Sequence, residues 1–214
     1  MSFVGGALGA VSGFCGRVAA NFMQLSQIVI STNVFLALAS HVALVIFFVG
    51  YWLKIPAILA VKNFLGRHML GLALLVSLAG LGGSLFFSEV LGYEPCVLCW
   101  IGRIMLYPQI LIIALAMYYK DRGEGLKSTM RYLVGLSVLG GLVSLYHSYT
   151  QLGGRSFTPC TAEGGTCSIL YIMEYGYITI PTMALTAFIL ILFFVWCGKN
   201  AGSGAAERAN FSAN

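Results

Sequence analysis

The chain has 214 residues, of which 59% are hydrophobic and 9% charged, with a formal net charge of +5 and a mean hydropathy of +0.89. Soluble globular domains carry about 25% charged residues, so this composition excludes an ordinary soluble enzyme and a disordered chain, and the bilayer becomes the expected solvent. One span takes roughly 20 mostly apolar residues, which allows roughly four to six helices with short loops and leaves any chemistry to the bundle or those loops.

In chain order, residues 1–30 read as an N-terminal arm. The stretch 1–23 is rich in Gly and Ala and contains Arg17, but it lacks the basic start, compact apolar run and cleavage site of a secretory signal. A partial helix or an interfacial segment is the other reading of the arm. Apolar runs follow at 31–53, 69–87, 99–119, 132–149 and 178–197, giving five candidate spans. Pro56 is expected to end the first, and 55–65, with Lys62 and the neighbouring Lys54, to lie flat at the interface, so that 31–68 form a transmembrane helix with a cytoplasmic interfacial segment. The paired glycines Gly82-Gly83 and Gly140-Gly141 permit close helix approach. Residues 198–214 are small and polar and are expected to be a disordered cytoplasmic tail.

The twelve Lys and Arg residues lack an aromatic stacking platform, which argues for membrane lipid and against nucleic acid as a partner, and they serve as topology signals. Lys54, Lys62 and Arg67 fall between the first two spans, Lys120, Arg122, Lys127 and Arg131 between the third and fourth, and Lys199 and Arg208 after the last. These segments are expected to be cytoplasmic. The segments 88–95 and 150–177 carry Glu89, Glu94, Glu163 and Glu174 against Arg155 alone, and are expected outside.

Cysteine placement follows this division. Cys96 and Cys99 form a C-x-x-C at the end of one outer segment, and Cys160 and Cys167 lie in the other. Bacterial extracytoplasmic space is oxidising, so disulfides persist there. Cys15 and Cys197 remain unpaired and read as inert thiols. A C-x-x-C by itself serves zinc, haem attachment or redox chemistry. Haem attachment needs His after the second Cys, where Trp100 stands. A four-thiolate zinc site from both pairs would fold a small polar domain, which this chain does not need, so no metal is assigned. Structural loop disulfides are the plainer alternative.

Redox chemistry has a physical basis. With Pro95 favoured at a first helical position, the third helix is expected to start there, with both cysteines in its first turns. A helix N-terminus favours thiolate, and Arg103, four residues beyond Cys99, adds a full charge on the same face. An Arg inside a span is costly unless it pairs or snorkels, so it is a functional candidate. Trp100 lies at the same depth as an interfacial anchor and a candidate wall for a cofactor. His147, at the outer end of the fourth span, either hydrogen-bonds within the interior or serves a bound polar ring or proton movement. His41 and His68 are weaker candidates.

The run Pro95-Cys96-Val97-Leu98-Cys99-Trp100-Ile101-Gly102-Arg103, continuing to Pro108, resembles the motif of the disulfide bond formation protein B (DsbB) family, BdbC-type branch. The resemblance extends through Leu145-Tyr146-His147 with Gln151, the Cys160 and Cys167 pair, and Gly176-Tyr177-Ile178-Thr179-Ile180-Pro181. It covers about residues 69–197 and implies an all-α membrane protein: a four-helix transmembrane redox domain, here with one additional N-terminal transmembrane helix.

It further implies that a DsbA-like thioredoxin-fold partner attacks the Cys160/Cys167 disulfide. Electrons then pass to Cys96/Cys99, and a quinone, ubiquinone or menaquinone, accepts them in the bacterial cytoplasmic (inner) membrane. Cys99 would engage the quinone, Cys96 would exchange with the loop pair, and Arg103, His147 and Trp100 would border the quinone. Two departures stand out: Ile101-Gly102 replaces a bulkier pair common before the family Arg, and only six residues separate Cys160 from Cys167. The rivals are a vitamin K epoxide reductase-like enzyme, in which the loop pair precedes the C-x-x-C, and a non-enzymatic membrane scaffold. Here the C-x-x-C comes first.

Overall fold

A computed structural model describes residues 3–120, 123–154 and 170–211, with side chains for 21–120, 123–154 and 170–199. The described residues form helices α1 (Phe3–Trp52), α2 (Pro56–Arg67), α3 (Met69–Leu85), α4 (Val97–Tyr118), α5 (Glu124–Gln151) and α6 (Ile180–Phe211), with a single π-helical turn at Phe86–Val90. Among the described residues, five stretches are long and apolar enough to cross a membrane: Asn21–Trp52, Met69–Val90, Val97–Tyr118, Glu124–Gln151 and Ile180–Lys199.

Helices α1, α5 and α6 outrun their apolar runs. No proline precedes Pro56, so nothing interrupts the backbone ladder between the N-terminal arm and the first span, and the two form one helix. It ends where Lys54 takes φ 54°, just before Pro56. At the other end of the chain, no proline follows Pro181, and Ala201, Ala205, Ala206 and Ala209 are strong helix formers. The helix accordingly runs to Phe211, through most of the tail expected to be disordered. Helix α5 reaches back to Glu124, whose carboxylate suits a helix N-terminus and pairs with Lys127 at 2.6 Å.

Each of α3, α4, α5 and α6 packs on its chain neighbour, and α3 closes the ring on α6. Ala73, Leu106, Ile113, Leu133, Phe188 and Ile191 meet at the centre. Gly140 lets α5 and α6 approach, because a Cβ there would overlap the Phe188 ring. Gln109 is fully buried and accepts a 3.0 Å hydrogen bond from Ser137, joining α4 to α5 without water.

Helices α1 and α2 lie outside this ring, both against α6. Phe47 packs edge-on to Phe193, with centroids 4.7 Å apart, and Lys62 sits 4.4 Å from the Trp196 ring. His41, set aside as a weak candidate from the sequence, hydrogen-bonds Thr186 at 2.8 Å and so fixes α1 to the bundle. The α1 side chains turned away, Phe35, Val45 and Ile46 among them, are exposed, as suits a lipid-facing surface.

Candidate functional site

Helix α4 begins at Val97, two residues later than the sequence suggests. Cys96 has ψ 170° and is the extended N-cap residue, leaving Pro95 outside the helix and Cys99 inside its first turn. Ahead of it, the π turn ends α3, and backbone bonds from Leu91 to Phe86 and from Tyr93 to Phe87 fold the chain back toward α4. On the opposite side of the site, Glu174 and Ile178 bridge around Tyr175 and Gly176, both at positive φ. Thr182 then donates to the Thr179 carbonyl at 2.7 Å, with Pro181 at the start of α6.

These ends enclose a cleft lined by Cys96, Cys99, Arg103, His147, Ser84 and Pro181, with Glu94 and Gln151 also on its walls. Phe87, Tyr93 and Tyr171 add aromatic surface. The last two rings stack at 4.5 Å and 13°, pinning the segment before α4 to the segment before α6.

Cys96 and Cys99 are free thiols with sulfurs 3.3 Å apart, Cys96 donating to Cys99. His147 Nε2 lies 3.6 Å from Cys96 Sγ, and the imidazole is buried. The Cys96 thiol is pushed up to about 12, chiefly by its hydrogen bond to Cys99 and then by burial, while His147 pulls the other way. The expectation that the helix terminus makes both thiols acidic therefore fails for Cys96, which lies outside the helix and holds its proton between two partners.

Arg103 is 6% exposed and does not snorkel. Its Nε donates to Ser84 Oγ at 2.8 Å and an Nη to the Ser84 carbonyl at 2.9 Å. Among the described residues, Lys127–Glu124 is an ion pair and Arg103 belongs to none. A buried guanidinium held by neutral oxygens keeps its charge available to an anion forming nearby.

Cys96, Cys99, Arg103 and His147 thus come together. Trp100 is not among the residues lining the cleft: it is half exposed, and the Arg103 guanidinium carbon lies 5.4 Å from its ring centroid. Cys160 and Cys167 lie outside the described residues, as does the side chain of Cys15; Cys197 is fully buried. The sequence reading missed Ser84, Tyr93 and Tyr171. A hydroxyl near the outer end of an apolar span was the available signal for Ser84, whereas nothing local marks two tyrosines 78 residues apart in sequence (171 − 93) as a stack.

Residues 66–198 match the family model of disulfide bond formation protein DsbB. Disulfide bond formation protein C of Bacillus subtilis is 38% identical over 122 residues, covering 56% of this chain and 84% of the relative. A probable disulfide formation protein of Metapseudomonas resinovorans is 36% identical over 126 residues, 58% and 84% of the two chains. No solved structure matches. The matched region takes in α3, α4, α5, α6 as far as residue 198, and every residue lining the cleft, so this multi-pass membrane protein belongs to the DsbB family of disulfide-forming oxidoreductases.

Proposed function

We propose that the protein reoxidises a DsbA-like thioredoxin-fold disulfide donor on the extracytoplasmic face and delivers the electrons to a membrane quinone. The observation that carries this reading is one cleft holding a C-x-x-C dithiol, a buried imidazole 3.6 Å from Cys96 and a buried guanidinium outside any ion pair among the described residues.

The residues suit a quinone. Arg103 offers N–H donors to a ring oxygen gaining negative charge, and the aromatic walls of Phe87, Tyr93 and Tyr171 suit a flat ring. An apolar cavity of ≈ 210 Å³ between α1, α3 and α6 shares Ser84, Phe87 and Ile180 with the cleft and suits a hydrocarbon chain. A quinone bound there supplies a sink for two electrons and two protons.

The protein's own steps follow from the sulfur environments. A thiolate of the reduced Cys160/Cys167 pair attacks Cys96 in the oxidised Cys96–Cys99 disulfide. The S–S bond breaks toward Cys99, whose thiolate leaves beside a helix N-terminus. Resolution of the mixed disulfide by the second loop thiol restores the loop disulfide and leaves the Cys96/Cys99 dithiol. Its reoxidation removes two electrons and two protons, one of them the Cys96 proton that the hydrogen bond to Cys99 and burial hold in place. His147 Nε2 is the base within reach of it. Arg103 stabilises the negative charge that develops at Cys99 or at the acceptor oxygen. Tyr171 lines the cleft and is four residues from Cys167 in the chain, a reach of at most about 14 Å.

The test uses the full chain in detergent with a reduced thioredoxin-fold donor and either ubiquinone or menaquinone, following quinone absorbance. Cys99→Ser and Cys160→Ser are each expected to abolish turnover; turnover persisting in both would overturn the relay. Arg103→Met is expected to lower kcat/KM for quinone by about tenfold or more, about 1.4 kcal/mol of lost transition-state stabilisation.

A further inference from the structure

The zinc arrangement considered from the sequence used four cysteines and left His147 out. The folded chain brings a different donor set together. One sulfur each from Cys96 and Cys99 and one ring nitrogen from His147 lie within 4.8 Å of one another. The two sulfurs are 3.3 Å apart, and Cys96 Sγ is 3.6 Å from His147 Nε2. A tetrahedral zinc ion has Zn–S near 2.3 Å and Zn–N near 2.0 Å, so its ligand atoms stand about 3.8 Å (S to S) and about 3.5 Å (S to N) apart. Two edges of the tetrahedron are therefore in place to within about half an ångström, and the third, within 4.8 Å here, must close by up to about 1.3 Å as the metal binds.

We propose that the reduced cleft is a binding site for a soft d10 cation of the zinc class, held by Cys96, Cys99 and His147, and that occupation locks the dithiol against oxidation. Two thiolates and an imidazole are the donors such ions prefer, and three protein ligands leave a fourth position open. All three ligands line the cleft, so the fourth can come from it, with water as the simplest occupant. Binding displaces both thiol protons, so the charge of the divalent ion is cancelled by two thiolates and the neighbouring Arg103 meets a neutral complex. Redox state is the gate. Once Cys96 and Cys99 share a disulfide, neither sulfur is a thiolate and the site is gone. The metal and the acceptor thus compete for the same two electron pairs: free zinc stalls the enzyme in its reduced form. The proposal needs only the reduced pair and the imidazole, and does not depend on quinone as acceptor.

The experiment titrates reduced full-length protein in detergent with Cd²⁺, reading the thiolate-to-metal charge-transfer absorbance, and then with Zn²⁺ in competition with a chromophoric chelator. One equivalent is expected to bind to reduced protein and none at this site once it has been oxidised. His147→Asn is expected to weaken binding by at least about tenfold, since even the outer partners of metal ligands are worth that much. Cys96→Ser is expected to remove the charge-transfer band, and the Cys160→Ser/Cys167→Ser double variant to keep it. A stoichiometry and affinity unchanged by His147→Asn, or a band lost only in the loop double variant, would overturn the proposal. Because the readout is binding, its failure is distinct from failure of the quinone reading. If the site forms but turnover with donor and acceptor proves insensitive to Zn²⁺ at saturating occupancy, the locking role is overturned.

Discussion

Cys96 and Cys99 stand three residues apart and meet different surroundings: one is an extended N-cap with an imidazole beside it, the other lies in the first helical turn. This asymmetry gives a measurable sign. Cys96 holds its proton mainly through its hydrogen bond to Cys99, with His147 opposing. Cys99→Ser removes the largest upward influence, so alkylation of Cys96 at pH 8, read by peptide mass spectrometry, is expected to accelerate and its rise with pH to move to lower pH. His147→Ala removes a downward influence and is expected to slow it further. A change in the opposite sense in either variant would show that the two neighbours do not control the thiol. The residues that gather at the cleft were legible at this scale because Arg, His and a C-x-x-C are conspicuous in a chain with 9% charge. Ser84 was not, since its importance lies in the guanidinium that folding brings to it.

Among the helices, a glycine's role depends on what faces it. Gly140 abuts the Phe188 ring, whereas a Cβ at Gly82 would meet nothing within 4 Å. Gly140→Val is expected to cost about 1–3 kcal/mol through overpacking, and Gly82→Ala to be neutral or slightly stabilising, by up to about 1 kcal/mol, from helix propensity. Thermal unfolding in detergent checks both, and equal effects would remove the α5–α6 contact as the reason for Gly140. The paired glycines look alike in sequence; only the packing separates them. Helix ends were misjudged for a related reason. Hydropathy marks where lipid can surround a helix, but the backbone ladder continues past it until the backbone turns away, as at Lys54 with its positive φ just before Pro56; Pro108, inside α4, does not end that helix.

Taken whole, the molecule is a four-helix ring that carries the redox cleft at one end, with α1 and α2 added against α6. We propose from the charge pattern that this end faces outside. In a background without native cysteines, an impermeant maleimide applied to intact cells is expected to label Tyr175→Cys, an exposed position in the turn before α6, and to spare Lys127→Cys near the start of α5. The reverse pattern would invert the orientation and move the site to a reducing compartment.

The sequence by itself determined the solvent, five apolar spans and the candidate side chains for the site, because hydropathy and the rarity of polar groups in lipid are properties of local composition. Tertiary structure decided what those side chains meet. Arg103 faces Ser84 instead of the headgroups, Cys96 lies against His147 from 51 residues away, Trp100 stands beside Arg103 but not on the cleft lining, and His41 ties the added helix to α6. Such contacts depend on how helices rotate and pack against one another, which no single segment of the chain encodes.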